Sequence, residues 1–268
     1  MDRLKGKVAI IIGAGQSPGE AMGNGRATVI RFAQEGAAVL AVDRNIVSAR
    51  ESLTMAGDNV DGQAFEADVA KSETVQGAID AAMTRWGRID ILHYNVGVSV
   101  MGGEQTLDKL TDDVFDLVNS INLRGAIMAA KFVQPIMRKQ RSGVLINVSS
   151  ITAIETFTPL VAYRTSKAGM LAFTQQFAME NAAYGIRANA ILPGLMATSM
   201  SVDTRMRLTG RSREDIVAER NKKVPLRAQG GSAWDVANAA LFLASDEASF
   251  ITGVSLPVDG GTLAKIGW

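Results

Sequence analysis

The chain has 268 residues, 47% of them hydrophobic and 21% charged, with a formal net charge of +1 and no cysteine. That balance predicts one sizeable core, argues against a nucleic-acid partner, and leaves no disulfide framework. His93 is the only histidine, so a metal site would have to be built mostly from carboxylates, and none is expected.

Charges followed by a short apolar stretch open the chain at MDRLKGKVAIIIG. No small-residue cleavage pattern closes this stretch, so it reads as a first strand rather than a signal peptide. Val8–Ile12 is that strand. A glycine-rich loop follows, then a helix through about Glu35. Ala37–Val42 is the second strand, with a helix near Val47–Ala56 and a third strand near Gly62–Ala67. Ser72 is expected to cap a helix running to Trp86. Ile89–Tyr94 is the fourth strand, and one long helix is expected over Asp112–Lys139. Gly143–Ser149, a second long helix over Ala162–Ala183, Ile186–Leu192 and Gly253–Val258 complete the pattern. Strands this apolar are covered on both faces, and their alternation with helices predicts an α/β fold: a doubly wound parallel β-sheet of about seven strands. The whole of 1–268 is read as one nucleotide-binding domain. The least regular stretch, 195–231, is read as a substrate-loop insertion. No apolar run approaches the roughly 20 residues that span a bilayer, so no membrane partner is expected. Lack of cysteine is compatible with a reducing compartment, and a cytoplasmic location is expected.

The first strand runs directly into Gly13-Ala14-Gly15, and Gly23-Asn24-Gly25 opens the next helix. Glycines at such a turn let the backbone approach a pyrophosphate, which the helix N-terminus stabilises. Asp43 ends the second strand about 20 residues on, where a dinucleotide fingerprint places the carboxylate that bonds the ribose hydroxyls. A carboxylate there repels a 2′-phosphate, so NAD is favoured over NADP. Arg44 beside it works in the opposite sense.

Tyr163 and Lys167 lie one helical turn apart on one face. A lysine ammonium favours the phenolate. Lowering a tyrosine pKa from about 10 to near 7 takes about 4 kcal/mol, which lysine and an oxidised nicotinamide together can supply in a dry site. Upstream, a strand ends in Ser149-Ser150. The Ser150 hydroxyl can donate to a substrate carbonyl while Tyr163 moves the proton.

Taken together these residues resemble the short-chain dehydrogenase/reductase family in its single-domain form. Asp68-Val69, Asn95-Val96-Gly97, Asn122, Pro193-Gly194 and Asp259-Gly260-Gly261 fall in the family's order around the groups above. The resemblance implies that Tyr163 is the general acid/base and that Lys167 binds the nicotinamide ribose. It implies that Ser150 positions the substrate oxygen and that Asn122 holds a water linking Lys167 to solvent. Asp68 and Val69 would contact adenine. Asn95, Val96 and Gly97 would line the cofactor cleft. Pro193, Gly194, Met196 and Thr198 would hold the nicotinamide end, and Gly13, Gly15, Ser17, Gly23 and Asn24 the phosphates.

Three departures from the family pattern stand out. Ile12 replaces a threonine. Tyr94-Asn95-Val96-Gly97 replaces Asn-Asn-Ala-Gly. The stretch Gln16–Met22 stands between Gly15 and Gly23, where one residue is usual. Gly19, Gly23 and Gly25 also fit the glycine pattern, but Gly13 is preferred as the first turn because the strand feeds straight into it. The lengthened loop is similar to that of bacterial enoyl reductases. Those place six residues between the tyrosine and the lysine, and at that spacing from Lys167 this chain has Leu160, so enoyl reduction is disfavoured.

Val98, Val100, Met101, Ile151, Ile154, Phe157, Leu195, Met196, Met200 and Met206 are candidates for an apolar substrate side. They predict a medium-sized, mostly apolar secondary alcohol or ketone. No arginine pair stands out as a carboxylate anchor. The two long helices resemble those with which the family builds tetramers, and a homotetramer is expected. The competing readings are an NADPH-dependent 3-oxoacyl-thioester reductase, which VPLRAQ and the later segments also resemble, and a nucleotide-binding sensor or scaffold without turnover.

Overall fold

Short runs of Val, Ile, Leu and Ala build the centre of the molecule. The structure is a computed structural model and describes residues 2–99, 106–156 and 160–265. Strands β1 (Val8–Ile12), β2 (Ala38–Asp43), β3 (Gly62–Glu66), β4 (Ile91–Tyr94), β5 (Gly143–Val148), β6 (Ile186–Pro193) and β7 (Ser255–Val258) form one parallel sheet in the order β3-β2-β1-β4-β5-β6-β7. Every residue of β1, β4 and β5 is buried. Side chains alternate across such a strand. Ile10 and Ile12 therefore enter one core with α3 (Ser72–Trp86), α5 (Gly125–Gln140) and α6 (Val161–Asn181). Ala9 and Ile11 enter the other with α1 (Asn24–Gln34), α2 (Ile46–Ala56) and α9 (Ala233–Ala244).

From β1 the chain winds outward to β3 and then returns to β4 on the other side of β1. The order reverses between β1 and β4, which opens a crevice at their carboxyl ends. The parallel, two-sided sheet matches the sequence expectation. Three local features differ from it. The expected helix over Asp112–Lys139 is two helices, α4 (Asp112–Asn119) and α5, joined by a π turn at Ser120–Arg124. Lys71, not Ser72, is the N-cap of α3; the Ser72 hydroxyl instead accepts from Arg124 Nη2 at 3.0 Å. The insertion carries two helices, α7 (Asp203–Thr209) and α8 (Arg213–Asn221).

His93 on β4 is fully buried beside Phe32, and neither ring nitrogen has a hydrogen-bond partner among the described residues. Burial pushes its pKa down to about 3. Between pH 6.5 and about 3 the unfolded chain therefore binds a proton that the folded chain refuses. Stability falls as pH falls through that window, by about 1.4 kcal/mol per unit. His93→Leu should remove this slope. Urea unfolding at pH 7 and pH 5 is expected to show a smaller loss in the variant than in the parent; equal losses would contradict the assignment.

Candidate active site

The crevice begins where β1 ends. Gly13 adopts φ +84° and its N–H donates to the Val42 carbonyl at 2.8 Å, so the chain turns sharply out of the strand. A Cβ on Gly25, in the first turn of α1, would overlap the Gly13 carbonyl oxygen. Glycine is therefore what lets helix and strand end meet. Asn95 Nδ2 donates to the same Gly13 carbonyl at 3.1 Å, tying β4 to the turn. Val96 packs on Gly13 from the other side.

At the end of β2, the Asp43 carboxylate accepts from Gly15 N–H at 2.8 Å and from Asn45 N–H at 2.9 Å. The acidic group is thus locked beside the glycine turn. Arg44 next to it is exposed. Helix α1 has Gly23 as its N-cap, with no side-chain cap and no acidic residue in its first turn, and the buried Asn24 Oδ1 has no hydrogen-bond partner among the described residues. Uncapped amides at a helix start, beside an uncompensated polar atom and glycines that keep the approach open, fit a pyrophosphate. These residues can hold a dinucleotide.

The lengthened loop is fastened at both ends. Gln16 Nε2 donates to the Gly19 carbonyl at 3.0 Å, and Gln16 Oε1 accepts from Gly23 N–H at 3.1 Å. The far side of the loop is held by the insertion. Arg207 Nη1 donates to the Pro18 carbonyl at 2.9 Å, Ser199 Oγ to the Ala21 carbonyl at 2.5 Å, and Gly19 sits against the Asp203 carboxylate. Ser17 is exposed. The loop joins the glycine end of the crevice to the 195–231 stretch, a link nothing local in the sequence signals.

Two of the departures from the family pattern are register partners: Ile12 on β1 lies beside Tyr94 on β4, and both are buried in the same core. Tyr94 reaches out of that core to the π turn, where its hydroxyl donates to the Ile121 carbonyl at 2.5 Å. Burial, reinforced by the charge of Asp68, raises the phenol pKa and keeps it protonated. A side chain on Gly125 would collide with this hydroxyl. The π turn in turn presents Asn122, which is fully buried. Asn122 Oδ1 accepts from Val98 N–H at 2.8 Å, and its Nδ2 donates to the Val98 carbonyl at 3.0 Å and to Ser166 Oγ at 3.1 Å. π turns of this kind often mark functional sites. Asp68 Oδ1 accepts from Ala70 N–H at 3.0 Å, and Val69 lies against Gly125, so both stand at the β3 side of the crevice.

Lys167 on α6 is buried, and its ammonium donates to the Val148 carbonyl at 2.8 Å. A Cβ on Gly97 would come within 3.1 Å of Nζ and 3.7 Å of Asn122 Oδ1, so Gly97 is the gap through which the lysine reaches its place. Burial pushes the Lys167 pKa down to about 7. The ammonium lies 5.9 Å from the centre of the Tyr163 ring one turn earlier. The two serines at the end of β5 have different tasks. Ser149 Oγ donates to the Lys167 carbonyl at 2.9 Å, while Ser150 Oγ accepts from Thr152 N–H at 3.1 Å and keeps its proton to offer. The 3-10 turn after Ser150, Ile151–Ala153, packs on α6.

Gly194, after β6, donates its N–H to the Val258 carbonyl at 3.0 Å and lies directly on Asp259. Pro193 closes β6 in register with Val258. Met196 and Thr198 follow and are buried, Met196 with its side chain in the core on the α9 face. Ile151 packs with Ala190 and Leu192. Met200 and Ile154 are exposed. Val100, Met101 and Phe157 lie outside the described residues. A separate open cleft lined by Gly36, Asn59, Asp61 and Trp86 lies at the opposite end of the strands, away from all these groups. Among the described residues no group of three or more His, Asp or Glu could hold a metal, and no helix is long and apolar enough to cross a membrane.

The family pattern described as enoyl-(acyl carrier protein) reductase matches residues 19–262. The chain belongs to the short-chain dehydrogenase/reductase family. The 3-oxoacyl-(acyl-carrier-protein) reductase of Thermotoga maritima is 34% identical over 97% of this chain and 98% of its own. The 2-(R)-hydroxypropyl-CoM dehydrogenase of Xanthobacter autotrophicus is 33% identical over 96% and 99%. The levodione reductase of Leifsonia aquatica is 32% identical over 98% and 96%. A solved levodione reductase superimposes with a TM-score of 0.90, covering 98% of this chain and 100% of that one at 31% identity. This short-chain dehydrogenase/reductase is an oxidoreductase acting on CH–OH groups with a nicotinamide nucleotide. The substrates named in these relatives differ widely, so they leave its own open.

Proposed function

We propose that the enzyme interconverts a medium-sized secondary alcohol and its ketone, with NAD as cofactor and Tyr163 as general acid/base. One observation carries this reading: the buried Lys167 ammonium, set between Gly97, Asn122 and the Val148 carbonyl, stands over the Tyr163 ring on the same helix.

In the oxidative direction Tyr163, as phenolate, accepts the hydroxyl proton of the alcohol. The carbinol hydrogen leaves as hydride, and the carbon becomes the ketone. The nicotinamide, when bound, supplies the hydride acceptor. Ser150 donates its hydrogen bond to the substrate oxygen, which holds that oxygen toward Tyr163. Lys167 favours the phenolate and binds the nicotinamide ribose. Asn122 on the π turn holds the water through which Lys167 exchanges its proton with solvent, a reading supported by its burial close to Gly97 and the lysine. Asp43 accepts from the adenine ribose. Arg44, Asp68 and Val69 flank the adenine, and Gly13, Gly15, Ser17, Gly23 and Asn24 border the phosphates. Asn95, Val96, Pro193, Gly194, Met196 and Thr198 border the nicotinamide half. The whole of 1–268 acts as a single domain whose insertion carries the substrate side, in a cytoplasmic enzyme.

Asp43 supports NAD as the cofactor. Its carboxylate is pinned by two backbone amides and cannot swing away from a 2′-phosphate. Ketone reduction should favour NADH over NADPH by about tenfold or more in kcat/KM, since a desolvated like charge at contact costs at least about 1.4 kcal/mol. Preference for NADPH would instead favour the 3-oxoacyl-thioester reductase reading. With Ser150, Tyr163 and Lys167 all in place, a scaffold without turnover is not favoured. A homotetramer is also proposed. Phe115 and Leu117 on α4 and Met179 on α6 are exposed apolar side chains on the helices that would pair. Light scattering at micromolar concentration should give a tetramer mass; a stable monomer would refute it.

A further inference from the structure

The turn Met196–Ser201, directly after the Pro193-Gly194 end of β6, carries two arginines that the sequence spacing does not bring together. Arg205 on α7 donates from Nη1 to the Ser201 carbonyl at 2.6 Å. Arg220 on α8 donates from Nη2 to the Met196 carbonyl at 3.3 Å. Ser201 Oγ closes the turn by donating to the same Met196 carbonyl. Both guanidinium groups therefore ride on one short turn, and both side chains are partly buried.

Neither arginine has a carboxylate within ion-pair distance among the described residues, although acids are near. Glu219 is taken by Arg211 at 2.8 Å and Lys223 at 3.1 Å, both on the exposed side. Asp203 is taken by Arg213. Burial lowers the pKa of Arg205, while Tyr163 lies close enough to act on it in the opposite sense. Burial, and then the like charge of Arg205, bring Arg220 down to about 10. Two guanidinium groups held near each other and partly out of water, with no ion pair of their own and only the charge of Glu219, itself paired to Arg211 and Lys223, acting on both, are costly to keep. An anion between them removes the cost, and the planar fork of arginine matches the oxygens of a carboxylate or sulfonate.

We propose that Arg205 and Arg220 form an anion clamp on the substrate side of the crevice, which holds a carboxylate or sulfonate at one end of the ketone or alcohol that reacts at Tyr163. The substrate then has an apolar body and an acidic end. This rests on the alcohol–ketone reading above and narrows it.

The test compares methyl-ketone carboxylates and sulfonates of rising chain length with their neutral methyl esters, using NADH. At the best length the acid should exceed its ester by about tenfold to a hundredfold in kcat/KM, mainly through KM. In Arg205→Gln/Arg220→Gln that ratio should fall toward one. The variant Arg205→Lys/Arg220→Lys should keep part of it, which separates lost charge from a misfolded turn. No acid preference in the parent enzyme, or a ratio the glutamines leave untouched, overturns the clamp. So does an NAD affinity that weakens as much as the acid's KM, because the anion would then be the cofactor phosphate. If neither acids nor esters turn over, the alcohol–ketone reading fails separately. Calorimetry of glutarate and ethanesulfonate with the NAD-loaded enzyme then decides the clamp: binding lost in the glutamine variant supports it, and no binding to the parent overturns it.

Discussion

Tyr163→Phe is expected to lower kcat by about 10²- to 10⁴-fold, the range that a positioned general acid/base supplies. The ring and its packing on α6 are kept, so NAD binding should change little. The loss should fall on kcat and kcat/KM together, because the missing proton transfer is felt only in the transition state. Steady-state rates on an alcohol and on its ketone check this in both directions. Unchanged rates would remove Tyr163 from the mechanism.

Lys167→Met should have two opposite effects. Activity should fall by at least about 10², since the phenolate loses its neighbouring charge and the ribose a ligand. The protein without cofactor should become more stable. In the fold, burial takes the Lys167 pKa from its ordinary 10.5 to about 7. Between those values the unfolded chain binds a proton that the folded chain refuses, so wild-type stability falls as pH falls from 10.5 to 7. The slope is about 1.4 kcal/mol per unit. Methionine fills a similar volume and removes the linkage. Denaturation at pH 7.5 and 9.5 should therefore show the variant ahead by more at the lower pH. A variant less stable than wild type at pH 7.5 would mean that the Val148 contact outweighs the burial of the charge. Such a gain in stability on loss of activity is the usual signature of a group kept for chemistry.

Much of the frame could be read from residue order, because it depends on local pattern. An apolar β1 and largely apolar β4 and β5 demand cover on both faces, and glycine directly after β1 with an acid at the end of β2 marks the nucleotide crevice. Tyr163 and Lys167 share a face by helical spacing alone. What escaped depends on contacts far apart in the chain. One extra residue in the helix at Ser120–Arg124 makes the π turn, and helical periodicity hardly registers it. Tyr94 looked like a simple departure until its hydroxyl met Ile121 and the bare Gly125. The loop Gln16–Met22 is fastened to Ser199 and Arg207, partners on the far side of the sequence. Arg205 and Arg220 converge only because two short helices fold back on one turn. Ser72 differs for a smaller reason: it is the first residue of α3 rather than its cap, and its hydroxyl accepts from Arg124 instead.

The most direct test follows the hydride itself. Secondary alcohols deuterated at the carbinol carbon are incubated with the enzyme and NAD, and the reduced cofactor is analysed by mass. The account predicts one deuterium in each NADH formed, one ketone released with it, and the loss of both products in Tyr163→Phe. NAD bound tightly while no alcohol in a broad panel, acidic or neutral, transferred its label would contradict it.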